Sequence, residues 1–128
     1  MILIKNGRVV DPVTNTDKIM DVLIKNNKIA EVSEHIEAPG AQVIDATGLV
    51  VAPGLVDTHV HFRDPGFTYK EDIETGARAA AKGGFTMVIC MANTKPAVDN
   101  IETLDYIQKK GEKTGINVLQ TATVTKGL

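Results

Sequence analysis

Phe85-Thr86-Met87-Val88-Ile89-Cys90-Met91 is an almost continuously apolar run. A short run of this kind, bounded by Gly83-Gly84 before it and Asn93 after it, fits a parallel strand buried on both faces. Residues 55–62, Leu55 to Phe62, form a second strand pattern. Between the two lies Tyr69 to Lys82, with Glu71, Asp72 and Glu74 early, Lys82 last and Gly83-Gly84 as the stop, a charge order that matches a helix and its dipole. A second helix is expected from Ile101 to about Lys113, with Ile101, Leu104 and Ile107 on its apolar face, and a third strand from Asn117 to about Thr125. Strand, helix, strand, helix, strand with short connections is the repeat of a parallel βα fold.

Residues 1–52 read differently. Ile2-Leu3-Ile4 and Arg8-Val9-Val10 flank Asn6-Gly7, and Asp21 to Lys25 and Lys28 to Val32 flank Asn26-Asn27. Both pairs accept positive φ, so both are expected to be hairpin turns. Val43 to Asp45 and Leu49 to Ala52 continue the β pattern, and Pro53-Gly54 supplies the redirection expected between two domains, 1–52 and 53–128.

A net charge of −2 with scattered positive residues gives no basic surface for nucleic acid. No apolar run approaches the about 18 residues of a membrane span, and no signal-peptide core develops before Asn6-Gly7. Cys90 is the one cysteine, which excludes an internal disulfide framework and fits a reducing, cytoplasmic setting; within an apolar strand it is expected to be a small buried residue.

The chemistry is expected where the first strand of the βα region ends. In Asp57-Thr58-His59-Val60-His61-Phe62-Arg63-Asp64-Pro65-Gly66, strand alternation sends His59, His61 and Arg63 to one side and Val60 and Phe62 to the other. Two imidazoles so placed can hold one metal ion, and zinc suits them. By the same alternation Asp57 shares their side, deeper in the strand, as a buried hydrogen-bonded carboxylate supporting the site. His35 lies in the first region and is expected to be an exposed loop residue. For Arg63 the ordinary alternative is a solvent-facing ion pair with Asp64 or Glu71, and for Asn93 a turn residue capping the next segment. Lys109 to Lys113 is expected to be a solvated helix face and tail.

Pro53-Gly54-Leu55-Val56-Asp57-Thr58-His59-Val60-His61 resembles the first barrel strand of the amidohydrolase superfamily. The extension through Phe62-Arg63-Asp64-Pro65-Gly66, with Met91-Ala92-Asn93-Thr94 after the next strand, resembles the bacterial dihydroorotases, whose pattern is His-x-His-x-Arg-x-Pro-Gly and then Met-Pro-Asn-Thr. Ala92 stands where that family has proline, which leaves open how the loop carrying Asn93 is stiffened. The resemblance implies the start of a (β/α)8 barrel preceded by part of a small β-sandwich domain. At 128 residues the chain falls short of the about 250 such a barrel needs, so an amino-terminal portion of a longer enzyme is expected.

The implied activity is zinc-dependent, reversible cyclisation of N-carbamoyl-L-aspartate to L-dihydroorotate, a step of pyrimidine synthesis. His59 and His61 are the implied metal ligands, and His61, Arg63 and Asn93 the implied substrate contacts. The remaining ligands, a second zinc ion, and an aspartate acting as general acid and base are implied on later strands, so this chain alone is expected to be inactive. With its barrel sheet open it is also expected to self-associate, whereas the complete enzyme is expected to be a homodimer. Two rival readings are a hydantoinase- or allantoinase-like cyclic amidohydrolase, against which Arg63 speaks, and a catalytically silent fragment with a structural role.

Overall fold

The computed structural model describes residues 1–128, and the chain divides into two compact units, Met1–Pro53 and Gly54–Leu128. None of its helices is long and apolar enough to cross a membrane.

The first unit is one five-stranded sheet: β1 (Ile2–Asp11), β2 (Thr16–Lys25), β3 (Lys28–Ser33), β4 (Gln42–Asp45) and β5 (Val50–Val51). The order is β3-β2-β1-β4, with β5 also on β1; β2 and β3 pair antiparallel, whereas β4 and β5 run parallel to β1. Asn26 and Asn27 both take positive φ, 52° and 57°, and form the expected hairpin turn. Asn6-Gly7 does not. Asn6 has φ 61°, but β1 continues through it, because Ile4 pairs with Val22 and Gly7 with Met20, leaving one extra residue on β1. The left-handed residue therefore makes a β-bulge. The turn of that hairpin lies further on, before Thr16, with Asn15 at φ 54°.

The second unit is a three-stranded parallel sheet, β6 (Leu55–Val60), β7 (Phe85–Cys90) and β8 (Asn117–Gln120), in the order β6-β7-β8, with α1 (Ile73–Lys82) and α2 (Ile101–Gly111) as crossovers. The elements are shorter than their apolar patterns. Helix α1 starts at Ile73 because Asp72 is extended and its carboxylate caps the Thr75 N–H at 2.8 Å, and Asn100 caps Thr103 of α2 at 2.9 Å in the same way. After Gln120 the chain leaves the sheet and Thr123 N–H donates to the Val98 carbonyl.

Ile73 and Ile107 are fully buried against Val88, Cys90, Val98 and Phe62. Burying each isoleucine stabilises the helix–sheet layer by about 1.5–3 kcal/mol. Gly76 belongs to this layer because a Cβ there would stand 2.5 Å from the Phe62 ring. Ile101 is exposed, and Thr103 takes its place on the buried face of α2. The sheet is covered by helices on one face only, so Met87 and Ile89 are half-buried while Val88 and Cys90 are buried, rather than all being enclosed.

Asp21 is the buried acid of the first unit, and its two oxygens accept the N–H groups of Asn6 (2.9 Å) and Ile36 (3.0 Å). It thereby pins the bulge and the segment after β3 to one strand. Burial pushes its pKa up, but those two N–H groups, with Lys5 and His35 nearby, outweigh that and hold it below the ordinary carboxylate range. A carboxyl depressed on folding stabilises above its unfolded pKa and loses that contribution as pH falls through the folded value. Asp21→Asn should therefore cost about 1–3 kcal/mol at neutral pH. Denaturant melts should show the gap to wild type beginning to shrink below about pH 4, as the unfolded carboxyl protonates, and closing once pH falls below the folded value.

Candidate active site

The βα crossovers bring the carboxyl ends of β6 and β7 to one rim, and His59, His61 and Asn93 meet there. β6 ends at Val60, so His59 is its penultimate residue and His61 the first beyond it. The two imidazole centroids are 5.1 Å apart with an interplanar angle of 63°. Val60 and Phe62 turn the other way, into the helix–sheet core, as alternation requires. Asp57 departs from that alternation: it pairs with Val88 while Val60 pairs with Cys90, three residues on β6 against two on β7. This bulge puts Asp57, half-buried, at a cavity lined by His61 and by Ala79 and Ala80 of α1, with its carboxylate accepting the His59 N–H at 3.0 Å. It supports the backbone of the histidine strand.

Asn93 is no simple turn residue: its Oδ1 lies 2.9 Å from Nδ1 of His61. The contact occupies Nδ1 and leaves the Nε2 edge of the ring for a metal. That is how outer partners orient metal-binding histidines. The loop that bears Asn93 is tied together without a proline at position 92, because the carbonyl of buried Ala92 accepts from Thr94 N–H (2.9 Å) and Val98 N–H (3.1 Å). His59, His61, Met91 and Asn93 line an open cavity of about 370 Å³, together with Thr121 and Thr123, which come after β8 and carry no sequence signal of a site.

Arg63 does not line that cavity. It sits two residues past His61 at φ 60°, half-buried, and its guanidinium makes no hydrogen bond or ion pair within the chain. Its expected partners are engaged elsewhere. Asp64 is bound by Tyr106 and Lys110, and Glu71 accepts from the Thr75 hydroxyl and from Asp72 N–H at 3.1 Å. Lys110, expected on a solvated helix face, is turned inward to that buried acid. His35 is exposed beside Glu37, as expected. Cys90 is buried and burial pushes its thiol up to about 11, which leaves it unreactive.

The residues present fit a metal in part. Two imidazoles at one strand end suit zinc, but no third His, Cys, Asp or Glu stands close enough to complete a set of three.

Solved structures with the same architecture include the L-hydantoinase (dihydropyrimidinase) of Arthrobacter aurescens, at TM-score 0.85 and 28% identity over 94% of this chain and 27% of that one. A D-hydantoinase matches at TM-score 0.75 and 37% identity over 92% of this chain and 26% of that one. The fold and the histidine pair thus place the chain beside cyclic amide hydrolases. A family model described as dihydro-orotase-like matches residues 48–127. Curated proteins named dihydroorotase are similar over nearly the whole chain. That of Clostridioides difficile strain 630 is 61% identical across 99% of this chain, and that of Aquifex aeolicus 50% identical across 98%. The chain belongs to the dihydroorotase-like family. It spans 30% of the length of those curated relatives.

With two ligands, zinc should bind this chain weakly and through the rim alone. In a zinc titration followed by calorimetry, His59→Ala and His61→Ala should each abolish the heat and His35→Ala should leave it unchanged. Asn93→Ala should weaken binding by about tenfold or more, because Nδ1 of His61 loses its partner.

Proposed function

We propose that this chain is the amino-terminal part of a zinc-dependent dihydroorotase that interconverts N-carbamoyl-L-aspartate and L-dihydroorotate. In this reading Met1–Pro53 contributes to a small β-sandwich domain, and Gly54–Leu128 opens a (β/α)8 barrel whose later strands pair with the free edges of β6 and β8. The observation that carries it is an uncommitted guanidinium, Arg63, two residues past a histidine pair, in a chain 50–61% identical to proteins named dihydroorotase.

His59 and His61 hold zinc through their outward nitrogens, with further ligands and a second ion supplied by later strands. Zinc held there would supply Lewis-acid chemistry, lowering the pKa of a bound water and polarising an amide carbonyl. The chain's own residues do the positioning. His61, oriented by Asn93, fixes the metal relative to β7; Arg63 offers a planar pair of donors to the substrate carboxylate, and the Asn93 amide donates alongside it. The general acid and base lies beyond these residues, so the chain alone turns nothing over. Its open edges pair with other copies, whereas the complete enzyme covers them and works as a cytoplasmic homodimer.

The hydantoinase-like structures share the architecture at 28% and 37% identity, but a ring substrate without a carboxylate gives a guanidinium at position 63 nothing to bind.

Arg63→Met in the complete enzyme keeps the apolar stem and removes the fork. Charge-assisted hydrogen bonds contribute about 1.5–3 kcal/mol each. Loss of a bidentate pair should therefore lower kcat/KM for L-dihydroorotate by at least about a hundredfold, at 1.36 kcal/mol per factor of ten. Zinc content should stay near wild type, Lys should rescue only in part, and a ring amide without a carboxylate should be affected far less. Loss of zinc, or equal loss for both substrates, would make Arg63 a scaffold residue.

A further inference from the structure

We infer that Asp64 is a positioning residue for substrate recognition: its buried carboxylate ties the loop that presents Arg63 to helices α1 and α2. This rests on the reading of Arg63 as the group that binds the substrate carboxylate.

The Asp64 side chain has no solvent exposure. Its Oδ1 accepts the Tyr106 hydroxyl at 3.0 Å, and its Oδ2 accepts Lys110 Nζ at 2.7 Å and, at 3.4 Å, the N–H of Ile73, the first residue of α1. The acid beside it, with Tyr106, holds Lys110 well above the ordinary lysine range, so the ammonium stays charged through neutral pH. Buried ion pairs add little net stability over an apolar substitute of similar volume, yet breaking one is costly. What such a pair fixes is geometry. Arg63 and Asp64 are adjacent, so anchoring the acid to two helices sets where the arginine backbone sits.

That backbone needs holding. Arg63 lies at φ 60°, a region a long side chain adopts when its surroundings over-determine it. Phe67 N–H closes the loop onto the Arg63 carbonyl at 2.9 Å. On the other side Lys95 N–H donates to the Pro65 carbonyl at 3.0 Å. Gly66, at φ 94°, packs so closely on Lys95 that a Cβ would collide with its backbone carbonyl. The Arg63 loop is thus fastened below to the helices and sideways to the loop bearing Asn93. Asp64 has no exposed side-chain surface and both its oxygens are taken up within the fold, so it acts through Arg63 and not on substrate.

The test is Asp64→Asn in the complete, zinc-loaded enzyme, with Tyr106→Phe as a milder variant that keeps Lys110 and the charge pair. KM for L-dihydroorotate should rise about tenfold or more in Asp64→Asn, since small misplacements of a clamp are costly, with kcat changed much less and zinc per chain unchanged. Amide hydrogen exchange over residues 65–70 should accelerate while β7 stays protected, and Tyr106→Phe should move both readouts the same way by less. If the Asn variant does not fold, Tyr106→Phe carries the test by itself. A lowered melting temperature with unchanged KM and unchanged loop exchange would overturn the inference and leave Asp64 a residue of the fold alone. A wild-type enzyme that does not turn over L-dihydroorotate would instead sink the assignment of the reaction.

Discussion

The second unit depends on one packing event, the burial of Ile73 from α1 and Ile107 from α2 on the Val88-Cys90 face of the central strand. Helices fill that face, so the residues of β6 that alternate with Val60 and Phe62 are turned away from them. The same event sets direction: with both crossovers on one side, all three strands point their carboxyl ends to one rim, where His59, His61 and Asn93 gather. Placement of the polar residues depends on where the apolar ones are satisfied.

Two kinds of polar residue then separate by burial. Asp21 and Asp64 are enclosed, and every oxygen they carry accepts a donor from a neighbouring segment, so each joins pieces of chain remote in sequence. The side chains of His59 and Arg63 are not committed to the fold in this way; the Arg63 guanidinium makes no polar contact within the chain. His61 is intermediate, with one ring nitrogen spent on Asn93 and the other left over. Groups left over after the fold has met its own needs are the ones able to bind something else.

The likeness to hydantoinases and the higher identity to dihydroorotases have different physical origins. Strand order and helix packing are set by the spacing of buried residues, which many amide hydrolases share, so the TM-score of 0.85 to the Arthrobacter protein goes with only 28% identity. The Clostridioides protein is 61% identical across 99% of this chain.

Much was legible in the sequence because it depends on local pattern: the mixed α/β order of elements, the apolar strand at 85–91, the Asn26-Asn27 turn, the exposed His35 and the sequestered Cys90. The histidine pair on one strand face was legible from spacing too, since alternation needs no knowledge of neighbours. Where a local rule met a tertiary demand, the tertiary demand won. Asn6-Gly7 has the chemistry of a hairpin turn, but β2 pairs on both sides of it and Asp21 takes its N–H, so it is a bulge. Asp57 obeys alternation on paper, but the register against β7 inserts a residue and turns it toward α1. Lys110 reads as a solvated tail because nothing within its own helix needs it; a carboxylate at position 64, forty-six residues earlier, does. The sequence by itself determined which residues could bind a metal or an anion. Only the folded chain decided which of them remained unpartnered, because that depends on contacts between segments that no spacing along the chain reveals.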